Sequence, residues 1–287
     1  MQLETVPCDL CGAALSESVP YCTLPPTFPE AQEWRFRKCI CCGLIALQPR
    51  PDRQSIGAFY PDLDYHAFQP DSGLKRWVKA WLNRVRVNQL RPHFPKGARL
   101  LEVGCGTGEL LRAFGDVGYQ VEGIEPNQAA VKVAQQQGLS VQVGNLESVV
   151  LPPQSYQGVI MKYALEHVHS PRQALTALES ALKPGGRALL WLPNVESWDA
   201  GWFKSRWRGY DAPRHLYLFS PKTIESYLEK VGLKLMSIRF SPMPNDFAGS
   251  AGSMGLPAMA LWFPISALAA ARRASGRMLV VALKPSL

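Results

Sequence analysis

The 287-residue chain reads as an α/β protein, a seven-stranded, mostly parallel sheet with helices on both faces, preceded by a small cysteine-rich module. Three observations carry that reading. An apolar run at 98–103 passes into glycines at every second position and then into a helical pattern. Strand-like segments then alternate with amphipathic helical ones, the order that builds a parallel sheet. Finally, two Cys-x-x-Cys-Gly knuckles stand near the N-terminus, Cys8-Asp9-Leu10-Cys11-Gly12 and Cys39-Ile40-Cys41-Cys42-Gly43.

The glycine run is Glu102-Val103-Gly104-Cys105-Gly106-Thr107-Gly108. A glycine loop between a buried strand and a helix N-terminus lets backbone N–H groups approach a ligand closely. A dinucleotide fingerprint, G-x-G-x-x-G, would need its third glycine at position 109, which is Glu109. No Gly-Lys-Ser/Thr follows, so a P-loop is excluded as well. The second strand, 119–124, ends in Glu125, placed to take both hydroxyls of a ribose. A helix at 128–137 and a third strand at 139–143 lead to Gly144-Asn145-Leu146-Glu147. The fourth strand, 158–162, runs into Tyr163-Ala164-Leu165-Glu166-His167-Val168-His169-Ser170-Pro171. A helix at 172–182, the turn Lys183-Pro184-Gly185-Gly186 and a fifth strand at 188–192 follow. A helix at 222–231 and strands at 233–240 and 278–283 complete the expected sheet.

Four of these segments, in this order across 100–194, resemble the motifs of the class I S-adenosylmethionine (SAM) dependent methyltransferases. The resemblance implies a Rossmann-like fold and SAM as cofactor. Glu102, Gly104, Cys105, Gly106 and Gly108 would form its loop, with Glu125 on the ribose. Asn145 and Leu146 stand where the family receives the adenine, Asn145 replacing the usual acid. An amide oxygen still accepts a hydrogen bond, without charge. Transfer from a sulfonium needs alignment above all. A hydroxyl or carbon acceptor also needs a base near the tip of the fourth strand, for which His167 and His215 are the candidates. Tyr163 and Arg214 are candidate acceptor contacts. Glu166-His167 also resembles the ubiquinone-pathway O-methyltransferases, some of which hold a metal there with an acid just upstream. Lys162-Tyr163-Ala164-Leu165 supplies none, so no catalytic metal is expected.

Three units are expected: a zinc-ribbon-like module at 1–48, a linker or lid at 49–72, and the methyltransferase domain at 73–287. Two knuckles give four thiolates, and Cys8, Cys11, Cys39 and Cys42 suit a closed, structural zinc site. Such a module ahead of a methyltransferase domain resembles some sugar C-methyltransferases. No signal-peptide pattern opens the sequence, and cysteines in a non-secreted chain suggest metal or free thiols. The expected location is the cytoplasm, with peripheral contact to the inner face of a membrane left open. The linker carries Tyr60 and Tyr65 among four prolines.

The net charge of +8 equals the eight cations between residues 73 and 101, a stretch without an acid. Leu74, Trp77, Val78, Trp81, Leu82 and Val85 fall there at helical spacing. The helix is expected to lay this apolar face on the sheet; the other reading is attraction to an anionic surface. The aromatic-rich connection at 193–220 is expected to be a lid over the acceptor. The uncharged run 247–271, interrupted by Pro257 and Pro264, suits a buried or interfacial helix better than a membrane span. The expected partner is a small-molecule acceptor, a sugar, a lipid-linked compound or a polyketide-like one. Two alternatives stand beside it. One is an RNA methyltransferase that uses the zinc module and basic helix as its footprint. The other is a SAM-binding protein without turnover.

Overall fold

The computed structural model describes residues 1–25, 32–60 and 73–286. The second half of the expected linker, 61–72 with Tyr65, lies outside the described residues, as do the side chains of Leu74, Lys75, Arg76 and Val78. The N-terminal strands are β1 (Leu3–Glu4), β2 (Ser18–Leu24), β3 (Trp34–Cys39), β4 (Ile45–Leu47) and β5 (Arg50–Pro51). Helix α1 (Gly73–Leu90) leads to β6 (Arg99–Val103), α2 (Glu109–Gly115), β7 (Gln120–Glu125), α3 (Gln128–Gln136) and β8 (Val141–Val143). Then come β9 (Tyr156–Lys162), α4 (Pro171–Ala181), β10 (Leu182–Pro193), α5 (Trp198–Phe203) and β11 (Tyr217–Leu218). The chain finishes with α6 (Pro221–Lys230), β12 (Lys234–Phe240), α7 (Asn245–Ser250), α8 (Leu256–Ala271) and β13 (Arg277–Leu283).

Seven strands form the main sheet in the order β12-β13-β10-β9-β6-β7-β8. Only β13 runs antiparallel to its neighbours. Alternate side chains enter opposite faces, and both faces are covered. Leu101, Val159, Met161, Leu190, Leu192 and Val280 pack into one apolar cluster, with α4 and α6. Leu100, Ile160, Leu189 and Val281 pack into the other, against Leu90 and Phe114. Helix starts follow local chemistry: Asn127 caps α3, and Ser170 and Ser220 cap α4 and α6 ahead of a proline in the first helical position.

Three findings depart from the sequence reading. First, α1 does not bury its tryptophan stripe. Trp77 and Trp81 are 66% and 52% exposed, while Asn83, Val87 and Leu90 are buried. The i, i+4, i+7 row of the C-terminal half docks on the α2 cluster, and the Trp77–Trp81 row lies on another face. Second, the connection 193–220 is not an open loop. It contains α5 and β11, and Trp207, Tyr210, Leu216, Tyr217 and Phe219 are buried. Third, β11 completes a four-stranded sheet, β11-β4-β3-β2, with strands of the cysteine-rich segment. Leu10, Trp34, Phe36 and Leu47 of that segment join the same apolar cluster as Leu190 and Tyr227. Among the described residues no helix is long and apolar enough to cross a membrane.

Candidate active site

The carboxyl ends of β6, β7 and β9 meet at the glycine loop. Gly104, Gly106 and Gly108 all have left-handed backbones, at φ +72°, +55° and +79°. A side chain is excluded twice over at Gly108, where a Cβ would collide with Leu139. A Cβ on Gly104 would stand 3.0 Å from the Cβ of Ala164, so the loop also abuts the segment that follows β9. The Cys105 side chain turns away into a small cluster with Leu111, Val131 and Ala134, and burial pushes its thiol up. That leaves backbone to face a ligand.

Two acids flank the loop. Glu125 is buried; its Oε2 accepts from the Gly106 N–H at 2.9 Å and its Oε1 from the Asn127 N–H at 3.0 Å. Burial pushes its carboxyl up, and those two N–H groups pull the other way. Glu102 is buried with Oε2 unpartnered among the described residues. Burial pushes it up to about 7, against the pull of Lys162 and Arg86. Asn145 closes its own turn, its Oδ1 accepting from the Glu147 N–H at 2.9 Å and the Ser148 hydroxyl at 3.1 Å. Leu146 is buried in the main core.

A second cluster lies beyond Ala164. Tyr163 follows β9 with φ +54°, and the Arg277 guanidinium stands 5.4 Å from its ring centroid. Asp246 holds Arg277 by two bonds of 2.7 and 2.8 Å. His167 and His215 come together with ring centroids 4.6 Å apart, although 48 positions separate them. His167 Nδ1 lies 3.0 Å from the Arg214 carbonyl and 2.9 Å from the Tyr60 hydroxyl. A carbonyl only accepts, so Nδ1 carries the proton and Nε2 the lone pair. Burial and the neighbouring His215 push His167 down to about 3. His215 Nδ1 lies 2.8 Å from the Gly209 carbonyl, which fixes the same tautomer. Its Nε2 is 3.7 Å from Asp211 Oδ2. Burial lowers His215 too, but Asp211 favours its protonated form. Burial raises Asp211, yet His215 and Arg214 outweigh it and hold that carboxyl below its usual range. Arg214 donates to Asp211 Oδ1 at 2.5 Å.

Glu166 is fully buried with neither carboxylate oxygen hydrogen-bonded among the described residues, and burial pushes it up to about 8. One ligand atom from each of Glu166, His167 and His215 lies within 4.8 Å of the others. No acid stands among the four residues before Glu166. The third ligand-bearing side chain, His215, arrives from the connection instead. Asp211, Asp246 and Arg277 carry no role in the sequence reading, and Tyr60 enters it only as part of the linker or lid. Only Asp211 carried a local signal, as the i−4 neighbour of His215 in a short acid-poor stretch.

Among the described residues, the four cysteines form the other group able to hold an ion. Cys8 and Cys42 stand 3.4 Å apart at sulfur, Cys11 and Cys39 3.6 Å. Thiolates on one tetrahedral zinc stand about 3.8 Å apart. Gly12 and Gly43 turn the knuckles at φ +78° and +81°. Burial opposes it, but the Cys42 and Cys41 N–H groups bring the Cys39 thiol down to about 7. This group is tied to the rest of the chain. Asp9, inside the first knuckle, accepts from the Ser170 hydroxyl, the Arg172 N–H and the Tyr227 hydroxyl at 2.7–2.9 Å. Buried Arg50 donates to the His169 carbonyl at 3.0 Å and the Tyr217 hydroxyl at 2.7 Å.

Known proteins resemble this chain in sequence and in fold. The family profile described as a methyltransferase domain matches residues 75–238, more than half of the chain. The ubiquinone biosynthesis O-methyltransferase of Burkholderia thailandensis is 27% identical over 207 residues, 66% of this chain and 88% of that protein. The protein of the same name from Xanthomonas campestris pv. campestris is 41% identical over 161 residues, 50% of this chain and 65% of that one. A SAM-dependent methyltransferase from Archaeoglobus fulgidus superposes with a TM-score of 0.54 at 22% identity, covering 71% of this chain and 94% of its own. The [4+2]-cyclase SpnF does so with a TM-score of 0.56 at 19% identity, covering 83% of this chain and 98% of its own. At those identities the two structures speak for the fold alone. On the profile match and the curated relatives, the chain belongs to the methyltransferase-domain family and is a SAM-dependent methyltransferase.

Proposed function

We propose that the chain transfers a methyl group from SAM to a hydroxyl oxygen of a small-molecule acceptor, with residues 73–287 as the transfer domain. The observation that carries this reading is buried His215, paired with half-buried Asp211 and facing His167 beyond the end of β9. The relatives named as O-methyltransferases support oxygen as the acceptor atom.

The residues around the loop fit the cofactor. Glycine at 108 lets the loop close against Leu139 with its backbone left-handed, and the bare Glu102 oxygen suits a cationic amine. Glu125 would hold the ribose through lone pairs that its two backbone donors leave free. When bound, SAM supplies a methyl already activated by the positive sulfonium. What remains is alignment and removal of the acceptor proton. His215 is the better placed base. Its tautomer presents Nε2, and Asp211 stabilises the imidazolium that forms. His167, pushed down to about 3, stays neutral and positions the Arg214 backbone. Buried Trp207, Tyr210 and Leu216 anchor the segment that carries Asp211 and His215. We further propose that residues 1–48 form a module in which Cys8, Cys11, Cys39 and Cys42 hold a structural zinc, whose site is closed by four protein ligands.

The test is transfer of isotope-labelled methyl from SAM into catechols, phenols, sugars and RNA. Label recovered as a methyl ether of a small hydroxylated compound is the expected result. Label in RNA or on carbon, or SAM binding with no transfer, would overturn the reading.

A further inference from the structure

Helix α8 covers 16 residues, Leu256–Ala271, and contains no charged side chain. Its exposed residues are Leu256, Pro257, Ala260, Leu261, Phe263, Pro264, Leu268 and Ala271. Leu256, Ala260, Pro264 and Leu268 follow one row at i, i+4, i+8, with Pro257 and Leu261 beside it, so the helix turns a continuous apolar face to solvent. Leu256 is 83% exposed and Leu261 71%. The helix's one hydroxyl, on Ser266, is turned inward and donates to the Met243 carbonyl at 3.0 Å. A helix apolar on all sides is normally buried, and contiguous exposed apolar surface marks an interaction site.

The charge around this face says what it meets. No acidic residue follows Asp246 in the sequence. Arg272 and Arg273 close the helix, both exposed. Exposed Trp202 packs edge-on against Trp262 of α8 at 5.7 Å, and exposed Lys204 and Arg206 follow it. An apolar face edged by cations and an exposed tryptophan has the chemistry of a protein that lies in an anionic lipid interface. A second copy of the chain would instead bring the two sets of arginines against each other.

We propose that the outer face of α8 docks on an anionic phospholipid bilayer, with Leu261, Phe263 and Leu268 entering the interface and Arg272, Arg273, Lys204 and Arg206 on the headgroups. The helix lies along the surface; it is too short to span. Helix α8 packs on α7, whose Asp246 holds Arg277 beside Tyr163. The proposal does not depend on which acceptor is methylated, and its test needs no turnover.

The experiment is flotation of the full chain with phosphatidylcholine vesicles, with and without phosphatidylglycerol. Binding is expected to the anionic vesicles and to weaken as salt rises. Leu261→Asp with Leu268→Asp should lower the partition by about tenfold or more, as should Arg272→Glu with Arg273→Glu. Unchanged melting temperature and SAM affinity show that each variant is folded; both positions are exposed. Wild-type protein that floats with neither vesicle, equal binding to neutral vesicles, or variants that bind as wild type would overturn the proposal. So would a dimer in sedimentation velocity that Leu261→Asp breaks while vesicles bind nothing.

Discussion

The nucleotide side and the acceptor side of this site are built in opposite ways. The nucleotide side is short-range. Glu102 to Gly108 is one strand, one turn and one helix start, and Glu125 ends the next strand. In the proposed reading its affinity would come from the loop backbone and from two buried acids, Glu102 and Glu125. The acceptor side is long-range. Tyr60, Tyr163–His167, Asp211–His215, Asp246 and Arg277 come from five separate parts of the chain. The lesson is that a cofactor shared by many enzymes is held by a local motif. The acceptor pocket is assembled by tertiary packing, where it can vary.

That contrast predicts separable failures. The largest effect belongs to the acceptor side. His215→Asn should lower turnover by about 10²–10⁴-fold, the usual worth of a positioned base. Single-turnover kinetics in saturating SAM measures it, and a loss under threefold would reassign the base. On the nucleotide side, Gly108→Ala forces a left-handed alanine against Leu139. It should destabilise the chain by about 2–4 kcal/mol in denaturant unfolding, and Leu139→Ala should recover part of that. A neutral Gly108→Ala would show that the loop is looser than its geometry.

The two sides differ just as much in how legible they were. All seven strands of the main sheet, and the helices between them, announce themselves by apolar runs and caps; the glycine loop does so by spacing. The N-terminal knuckles were equally plain, because ligand spacing is itself local. The His167–His215 encounter was not legible. Nothing near His215 says that β11 will pair with β4, or that the Leu216 N–H will donate to the Glu166 carbonyl at 2.8 Å. The α1 stripe misled for a related reason. Periodicity finds an apolar face, but only packing decides whether the Trp77–Trp81 row or the Val87–Leu90 row is buried.

The cysteine group belongs to both sides of the comparison. Its ligands are local, yet its sheet ends in β11, two residues beyond His215. Cys8→Ser should therefore lower turnover by about ten- to a hundredfold through misplacement of the His215 segment, while SAM affinity holds. Elemental analysis should find one zinc in the wild type and less in the variant. Retained zinc, or lost SAM affinity in a folded variant, would break that link. A smaller effect is expected from pH. Glu102 sits at about 7, so it is protonated below that value and charged above it. Affinity for SAM should then fall by up to about tenfold per pH unit below 7, and Glu102→Gln should flatten the dependence. A wild-type profile that stays flat from pH 5 to 8 would remove Glu102 from the cofactor's contacts.

The division between the two sides can be measured in a single experiment, calorimetric titration of SAM into the wild type, Glu125→Ala and His215→Asn. Glu125→Ala should weaken binding by about 1.5–3 kcal/mol, the range for hydrogen bonds to a charged group, and His215→Asn should leave it within about 0.5 kcal/mol. Equal losses in both variants, or an unchanged Glu125→Ala, would contradict the account.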